Sequence, residues 1–496
     1  MNLKKYFIII LLTINLTGGY WLEPQKKIGV EDNWRSGLKK YADIYSAIKQ
    51  NYPDKFNEEK LFFASISGFL KQLDPHSYFL DPLMVRSLNE DQQGNYYGIG
   101  TRIAKHEDRL TVLATLAGTP AHALGIMAGD VIAEIEGKET RTMSLDDSMK
   151  LLRGAQGSYV KIKIKRDGIS NLIPFTIERV EIPLNSVSYS LVLPQAPEIG
   201  FISVRTFGNT TAKEVATSIA KLIKENKIKA LVLDLRGNAG GSLYAAIELA
   251  DFFLPKGKVI VSVKGRTFNR DFPAQLDNQH ETLPLAVLIN RGSASASEIV
   301  AAALQDHKRA VIIGSRSWGK GLVQTISRLS LNSSLALTTA KYYTPDNKCL
   351  QRDFNQLDEY FFFVNNTHYD TDNTIEGGVI PDIPLKPELY PEALINFISR
   401  GTFFNFARQL VESDLTIQTD FKADDAIIQK FTNFLDAQKL EYDKNTLKQY
   451  TSRLRIEIQR EVLSAKFSPA EGIKSFLTAD LSTINAVEVL KKKYKQ

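Results

Sequence analysis

Two apolar runs, Lys229-Ala-Leu-Val-Leu-Asp-Leu235 and Leu283 to Asn290, limit most strongly what this chain can fold into. Neither alternates apolar with polar side chains, so each reads as a strand buried on both faces, as in a sheet covered by helices on either side. Glu198-Ile-Gly-Phe-Ile-Ser-Val204 and Ala310-Val-Ile-Ile-Gly314 are further strands, and Ala212 to Lys224 between two of them has helical spacing. Strand and helix alternate over residues 184–385, which predicts an α/β core.

Two turns of this core carry the candidate chemistry. In Gly292-Ser-Ala-Ser-Ala-Ser-Glu298, the piece Ser295-Ala-Ser-Glu298 is a Ser-x-x-Glu capping box ahead of Ile299, Val300 and an alanine run. Ser295 is therefore expected at a helix N-terminus, facing unsatisfied N–H groups and the positive end of the dipole. That setting suits a nucleophile that generates an oxyanion, and it suits a capping serine equally well. Further on, Lys320 lies between Gly319 and Gly321 with Trp318, Leu322 and Val323 beside it. Desolvation there lowers a lysine pKa towards the range of a general base, and a neutral amine can take the serine proton without a histidine.

Rival chemistries fit less well. Gly314-x4-Gly319-Lys320 matches a phosphate loop, and Ala230 to Asp234 resembles a metal-holding strand. Position 321, however, is Gly where a Ser or Thr hydroxyl is needed, and Leu322 to Leu331 reads as strand rather than helix. Asp306 and His307 follow Ser295, but a helix would carry His307 roughly 18 Å along its axis, beyond triad reach. His106, His122, His280 and His368 lack catalytic surroundings. Ser-x-x-Lys occurs at Ser36, Ser46, Ser158 and Ser218 with no Lys-Thr-Gly, so a penicillin-binding site is not supported.

Ser-Ala-Ser-Ala-Ser-Glu followed by Gly-Lys-Gly-x-x-Gln, with Ser295 and Lys320 25 positions apart, resembles the carboxyl-terminal processing (tail-specific) proteases, the S41 serine peptidases. The resemblance implies Ser295 as nucleophile, Lys320 as general base and Gln324 as the residue that orients the lysine. It extends to Asp234-Leu-Arg-Gly-Asn-Ala-Gly-Gly241, where the family's oxyanion hole implies an N–H from Gly240 or Gly241, joined by that of Ala296. Lys341-Tyr-Tyr-Thr-Pro345 and Gly377-Gly-Val-Ile-Pro-Asp382 resemble the end of the family's core, with Asn347-Lys348 in place of the usual Gly-Arg and an Asn-, Asp- and Tyr-rich insertion between them.

Residues 95–183 resemble a PDZ domain in their order of short strands, one helix (Ser144 to Leu152) and glycine turns. Gly98-Ile99-Gly100 would be its carboxylate-binding loop, with exposed N–H groups holding a chain-terminal carboxylate while the tail adds a strand to the sheet edge. Ile99, Met149 and Leu152 would line the pocket for the last side chain. Arg166, at the end of the last PDZ-like strand, reads as a solvated arginine; in some family members a basic residue near here contacts the protease domain. Asp74-Pro-His-Ser77 ends the helical pattern that runs from about Asn33, and His76 reads as a turn residue.

The remaining bounds concern location and partners. Met1-Asn-Leu-Lys-Lys followed by an apolar run to Leu16 reads as a secretory signal, with Thr17-Gly-Gly19 as a cleavage site; an uncleaved anchor stays open. The expected location is periplasmic or exported, with attachment to the inner membrane through the N-terminus as the variant. Cys349 is alone, which excludes an internal disulfide and a Cys-based zinc site, and no metal or cofactor is expected. A net charge of +6 with scattered basic residues gives no support for nucleic-acid binding.

The expected organisation is multidomain α/β: 1–22 signal or anchor, 30–92 helical, 95–183 PDZ, 184–385 a crotonase- or Clp-protease-like core, and 386–496 helical. The expected partners are proteins with unstructured apolar C-terminal tails; a homo-oligomer and an activating adaptor stay open. The alternative is a catalytically silent PDZ scaffold or tail-binding chaperone on a protease fold.

Overall fold

The computed structural model describes residues 33–106, 108–116, 118–166, 168–277, 280, 282–330, 332–353, 376–386, 390–413 and 416–493. The expected signal or anchor over 1–22, His368 and most of the polar insertion after Lys348 lie outside these residues. Among the described residues no helix is long and apolar enough to cross a membrane. The chain divides into a unit ending at Ile66 and a second from Ser67. In the first, helix Asn33–Asn51 meets the start of helix Glu58–Leu70 through the Tyr41 and Ser65 hydroxyls (2.6 Å) and a Lys49–Glu58 ion pair (3.1 Å).

The second unit is built on a six-stranded sheet in the order Val187–Leu193, Ala196–Val204, Ala230–Asp234, Leu285–Ile289, Val311–Gly314, Ile383–Pro384. The first pair is antiparallel and every later pair parallel. One face, with Ile202, Leu231, Leu233 and Val287, is covered by helices Thr211–Asn226, Leu243–Asp251 and Ala296–Asp306. The other, with Phe201, Val232, Ala286 and Leu288, is covered by Leu477, Ala486, Val487 and Leu490. Burial on both faces is why these strands are apolar throughout.

That second cover comes from the C-terminal region, which is not one body. Residues from Leu394 to Val462 share a separate core around Phe397, Phe403, Phe431 and Ile458. Helices Pro469–Leu477 and Leu481–Lys493 instead cover the six-stranded sheet, and Asp480 ion-pairs with Arg236 at 2.9 Å.

A second sheet runs Tyr78–Leu80, Ser334–Tyr343, Val259–Gly265, Asn269–Pro273, with Leu322–Arg328 also paired to Ser334–Tyr343. Residues 78–80 form one short strand between the helices Glu58–Leu70 and Pro82–Gln93 of the N-terminal helical region. The PDZ-like region is thus an insertion between Tyr78–Leu80 of this sheet and Val187–Leu193 of the six-stranded one.

The inserted region forms its own sheet in the order Thr101–His106, Arg109–Thr115, Val131–Ile135, Tyr159–Lys165, Ile173–Glu178 around Ile99, Leu110, Ile132, Ile162 and Ile164. Thr101–His106 is an edge strand. Helix Leu145–Leu152 starts at Ser144, whose hydroxyl accepts the Asp147 N–H at 3.0 Å. Arg166 is not a solvated strand end: its guanidinium makes two 2.7 Å bonds to the buried Asp130 carboxylate and another to the Gly125 carbonyl. A buried carboxylate needs such a partner, which explains the difference.

Candidate active site

The strand Leu285–Ile289 ends in a turn that feeds helix Ala296–Asp306, and Ser295 is the residue before that helix. The three serines of the turn have different fates. Ser293 and Ser297 are fully buried, and their hydroxyls donate to the Leu235 and Asn238 carbonyls at 2.8 Å each. Both acceptors belong to the neighbouring strand-to-turn segment, so these two serines stitch the Ser295 turn to the glycine turn. Ser295 adopts φ +56°, ψ −112°, a conformation costly for a residue with a Cβ. Of its capping box the firm half is the Glu298 carboxylate accepting the Ser295 N–H at 2.7 Å; the hydroxyl faces the helix without a full cap hydrogen bond.

Glu298 does more than the sequence pattern indicates. It is fully buried, and its carboxylate also accepts the Ser317 hydroxyl (2.5 Å) and the N–H groups of Gly319 (2.6 Å) and Lys320 (2.9 Å). Burial pushes its pKa up, and these hydrogen bonds oppose the rise. One carboxylate thus fixes the turn bearing Ser295 and the loop bearing Lys320. The signal available in the sequence was an acidic residue heading an apolar helical run. The same bonds exclude the phosphate-loop alternative, because the Gly319 and Lys320 N–H groups are already engaged and a strand, not a helix, follows.

The flanking glycines of Lys320 are a packing requirement. Gly319 has φ +90°, and a Cβ at Gly321 would lie 2.1 Å from the Gln351 backbone nitrogen. The Lys320 pKa is lowered by burial, with the Glu298 charge opposing. Its Nζ donates to Gln324 Oε1 at 3.4 Å. Gln324, on strand Leu322–Arg328, stands opposite Thr338 beside a β-bulge of strand Ser334–Tyr343, and its Nε2 donates to the His76 carbonyl. His307 lies at the far end of the Ser295 helix with its ring against the Val259 carbonyl, away from any triad.

The glycine turn after Asp234 lies against Ser295. A Cβ on Gly240 would lie 2.8 Å from Ser295 Cβ and 3.0 Å from the Ala296 nitrogen. The Gly240 N–H donates to the buried Asn238 side chain at 2.9 Å. Gly241 bridges Phe207 in parallel fashion: Phe207 N–H bonds the Gly240 carbonyl and Ser242 N–H bonds the Phe207 carbonyl. That pattern turns the Gly241 N–H to the other side. Neither it nor the Ala296 N–H has a protein acceptor among the described residues.

In the inserted domain, Gly98, Ile99, Gly100, Met149 and Leu152 line one cavity of about 260 Å³, together with Tyr96, Ile103 and Arg153. The Ile99 and Gly100 carbonyls accept the Ala121 and Leu116 N–H groups at 3.0 and 2.9 Å. Their own N–H groups have no protein acceptor among the described residues. Arg153 stacks over Tyr96 at 4.4 Å and ion-pairs with Glu90 at 3.0 Å.

Comparison with known proteins agrees with this layout. The model of peptidase family S41 matches residues 198–358 and that of the PDZ domain residues 88–165. The chain is 37% identical over 326 residues to a carboxy-terminal-processing protease of Bartonella bacilliformis, covering 65% of this chain and 74% of that protein. It is 33% identical over 359 residues to the carboxy-terminal processing protease CtpA of Bacillus subtilis, covering 71% and 75%. Among solved structures, the photosystem II D1 C-terminal processing protease is 29% identical, covering 72% of this chain and 89% of that one at a TM-score of 0.39. The chain belongs to peptidase family S41, the serine peptidases of carboxy-terminal processing type.

Proposed function

We propose that this protein cleaves peptide bonds with a Ser295–Lys320 dyad and takes its substrates by their C-terminal tails through the PDZ groove. The observation that carries the reading is the Glu298 carboxylate, which holds Ser295 and the Lys320 loop on one buried anchor. Lys320, neutral once its burial-lowered pKa is passed, takes the proton of Ser295 as the hydroxyl attacks the scissile carbonyl. The oxyanion is held by the N–H groups of Gly241 and Ala296, while Gly240, whose N–H is committed to Asn238, serves as the spacer that admits Ser295. The protonated lysine then returns the proton to the leaving amine, and water releases the acyl-enzyme.

A tail carboxylate sits on the Ile99 and Gly100 N–H groups, its chain extends the edge strand Thr101–His106, and its last side chain enters the cavity beside Met149 and Leu152. Residues 1–22, read as signal or anchor, put this activity outside the cytoplasm.

The test is cleavage of an unfolded protein with an apolar C-terminus by the wild type, Ser295→Ala and Lys320→Ala. Cleavage lost in both variants, with tail binding retained, supports the dyad. Equal cleavage by all three overturns it, and binding with no cleavage by any makes the protein a tail-binding scaffold.

A further inference from the structure

We infer that the Asp74–Ser77 turn is an orienting element of the active site: its His76 carbonyl dictates which end of the Gln324 amide faces Lys320. The inference rests on the Ser295–Lys320 reading. The oxygen and nitrogen of a glutamine amide have nearly the same shape, so only its partners decide its direction. A backbone carbonyl accepts and never donates. The Gln324 contact to the His76 carbonyl must therefore be made by Nε2, which leaves Oε1 for the lysine, where it accepts an Nζ–H.

The direction matters for the base. A neutral lysine amine has one lone pair, and that pair must receive the Ser295 proton. With Oε1 facing it, the amine spends an N–H on Gln324 and keeps the lone pair. With the amide reversed, the glutamine NH2 would donate to the lone pair and quench the base, or repel the ammonium after proton transfer.

The turn is built to hold this carbonyl still. Asp74 Oδ1 accepts the N–H groups of both His76 and Ser77 at 2.7 Å, and Oδ2 accepts the Ser77 hydroxyl at 2.8 Å. The Ser77 oxygen in turn accepts the Thr338 N–H at 3.1 Å. Thr338 is the residue paired with Gln324 across the sheet, and Tyr78 continues the turn into the same sheet opposite Ala336. Two segments 248 residues apart are thereby locked in one register. A register shift at this point leaves Thr339 of the partner strand as the extra residue, between Ala340 opposite Val323 and Thr338 opposite Gln324.

The imidazole of the same turn is compatible with this role. Burial and the Lys320 charge, opposed by Asp74, lower the His76 pKa to about 4, so no second cation stands beside the lysine at neutral pH. The charge acting on Lys320 is that of Glu298, while Lys320 and Asp74 act in opposite directions on His76.

The experiment is a double-mutant cycle of Asp74→Ala and Gln324→Ala in the full chain, with kcat and KM measured on an unfolded tailed protein from pH 6 to 10. Asp74→Ala is expected to lower kcat about ten- to a hundred-fold with KM unchanged, the scale of a misplaced catalytic group. Its acid limb should move to lower pH, because a released or reversed amide no longer accepts the Nζ–H and disfavours the ammonium, and in the Gln324→Ala background the same change should cost less than about two-fold. Asp74→Asn, which keeps an acceptor for the two N–H groups, should recover most of the loss. If Asp74→Ala does not fold, Ser77→Ala takes its place in the cycle with the same pattern expected. Equal losses in both backgrounds, or a loss with an unmoved acid limb, overturn the assignment. Ser295→Ala and Lys320→Ala in the same assay separate the two failures: if either still cleaves, the dyad itself is wrong.

Discussion

The two glycine turns to which the proposed mechanism assigns an anion are built in opposite ways. Gly240-Gly241 is enclosed: Asn238 is fully buried beneath it, Phe207 bridges it, and Ser297 and Ala294 bond the Asn238 carbonyl. Gly98-Ile99-Gly100 is fixed on one side only, through its carbonyls, and opens on a cavity beside an edge strand. An oxyanion forms for an instant, and donors that must reorganise to meet it contribute little, so rigidity is the requirement. A tail arrives from solvent and leaves again, so access is the requirement.

The comparison predicts its largest effect at Gly241. It has φ +146°, and a Cβ would lie 2.2 Å from the Phe207 carbonyl oxygen, which is backbone and cannot yield cheaply. Gly241→Ala should shift its N–H and lower kcat by about 10²- to 10³-fold, the scale of a lost oxyanion donor, with tail-peptide affinity unchanged by fluorescence anisotropy. Loss of tail affinity as well would mean that the two turns are not independent.

The pH dependence separates the turns next. In the proposed dyad Lys320 must be neutral to accept the Ser295 proton, and burial lowers its pKa from the ordinary lysine value. Cleavage should therefore rise with pH through that lowered value and fall away below it as the lysine is protonated. Tail binding should stay flat above about pH 5, because a terminal carboxylate, with a pKa of about 3.5, is already ionised there. Parallel pH profiles for binding and kcat would point to a titrating group shared by both.

These differences also mark how far the sequence could be read. The motifs that carry Ser295, Lys320 and Gln324 were readable because they stand in order at fixed spacing, and the structure brings Lys320 and Gln324 into hydrogen-bond contact. The buried strands were legible because their composition reports burial on both faces. Glu298 was visible only as half of a capping box, since the Ser317, Gly319 and Lys320 partners that make it an anchor arrive through tertiary packing. The donor among Gly240 and Gly241 could not be chosen without seeing that Asn238 occupies one N–H. The helical periodicity of residues 390–493 was readable. Its division between a separate core and the second face of the protease sheet was not, because an amphipathic face does not state what it faces.

Gly100 should show a smaller effect than Gly241, and in the other assay. It has φ +83°, and a Cβ there would lie 2.2 Å from both Cβ and Oγ1 of Thr119, so the carboxylate-binding turn must shift to admit it. Gly100→Ala should weaken tail binding about ten-fold, close to 1.4 kcal/mol, and raise KM for a tailed protein. Hydrolysis of a short peptide that does not reach the PDZ groove should be unchanged. A fall in that second activity would make the loop part of the catalytic site.

Met149 is the smallest of these effects and tests the comparison most finely. Its side chain lines the cavity without being fully buried, so Met149→Ala removes apolar contact with the last tail residue and opens no void in the domain core around Ile99 and Ile132. About 1 kcal/mol of lost contact corresponds to a roughly five-fold weaker Kd for a tail ending in a large apolar residue. A tail ending in alanine, too short to reach Met149, should lose almost nothing, so the variant narrows the preference between the two tails. At saturating substrate kcat should equal the wild-type value. A lower kcat under those conditions would show that the occupied cavity acts on the Ser295 site, and recognition and catalysis would then have to be treated as one coupled region.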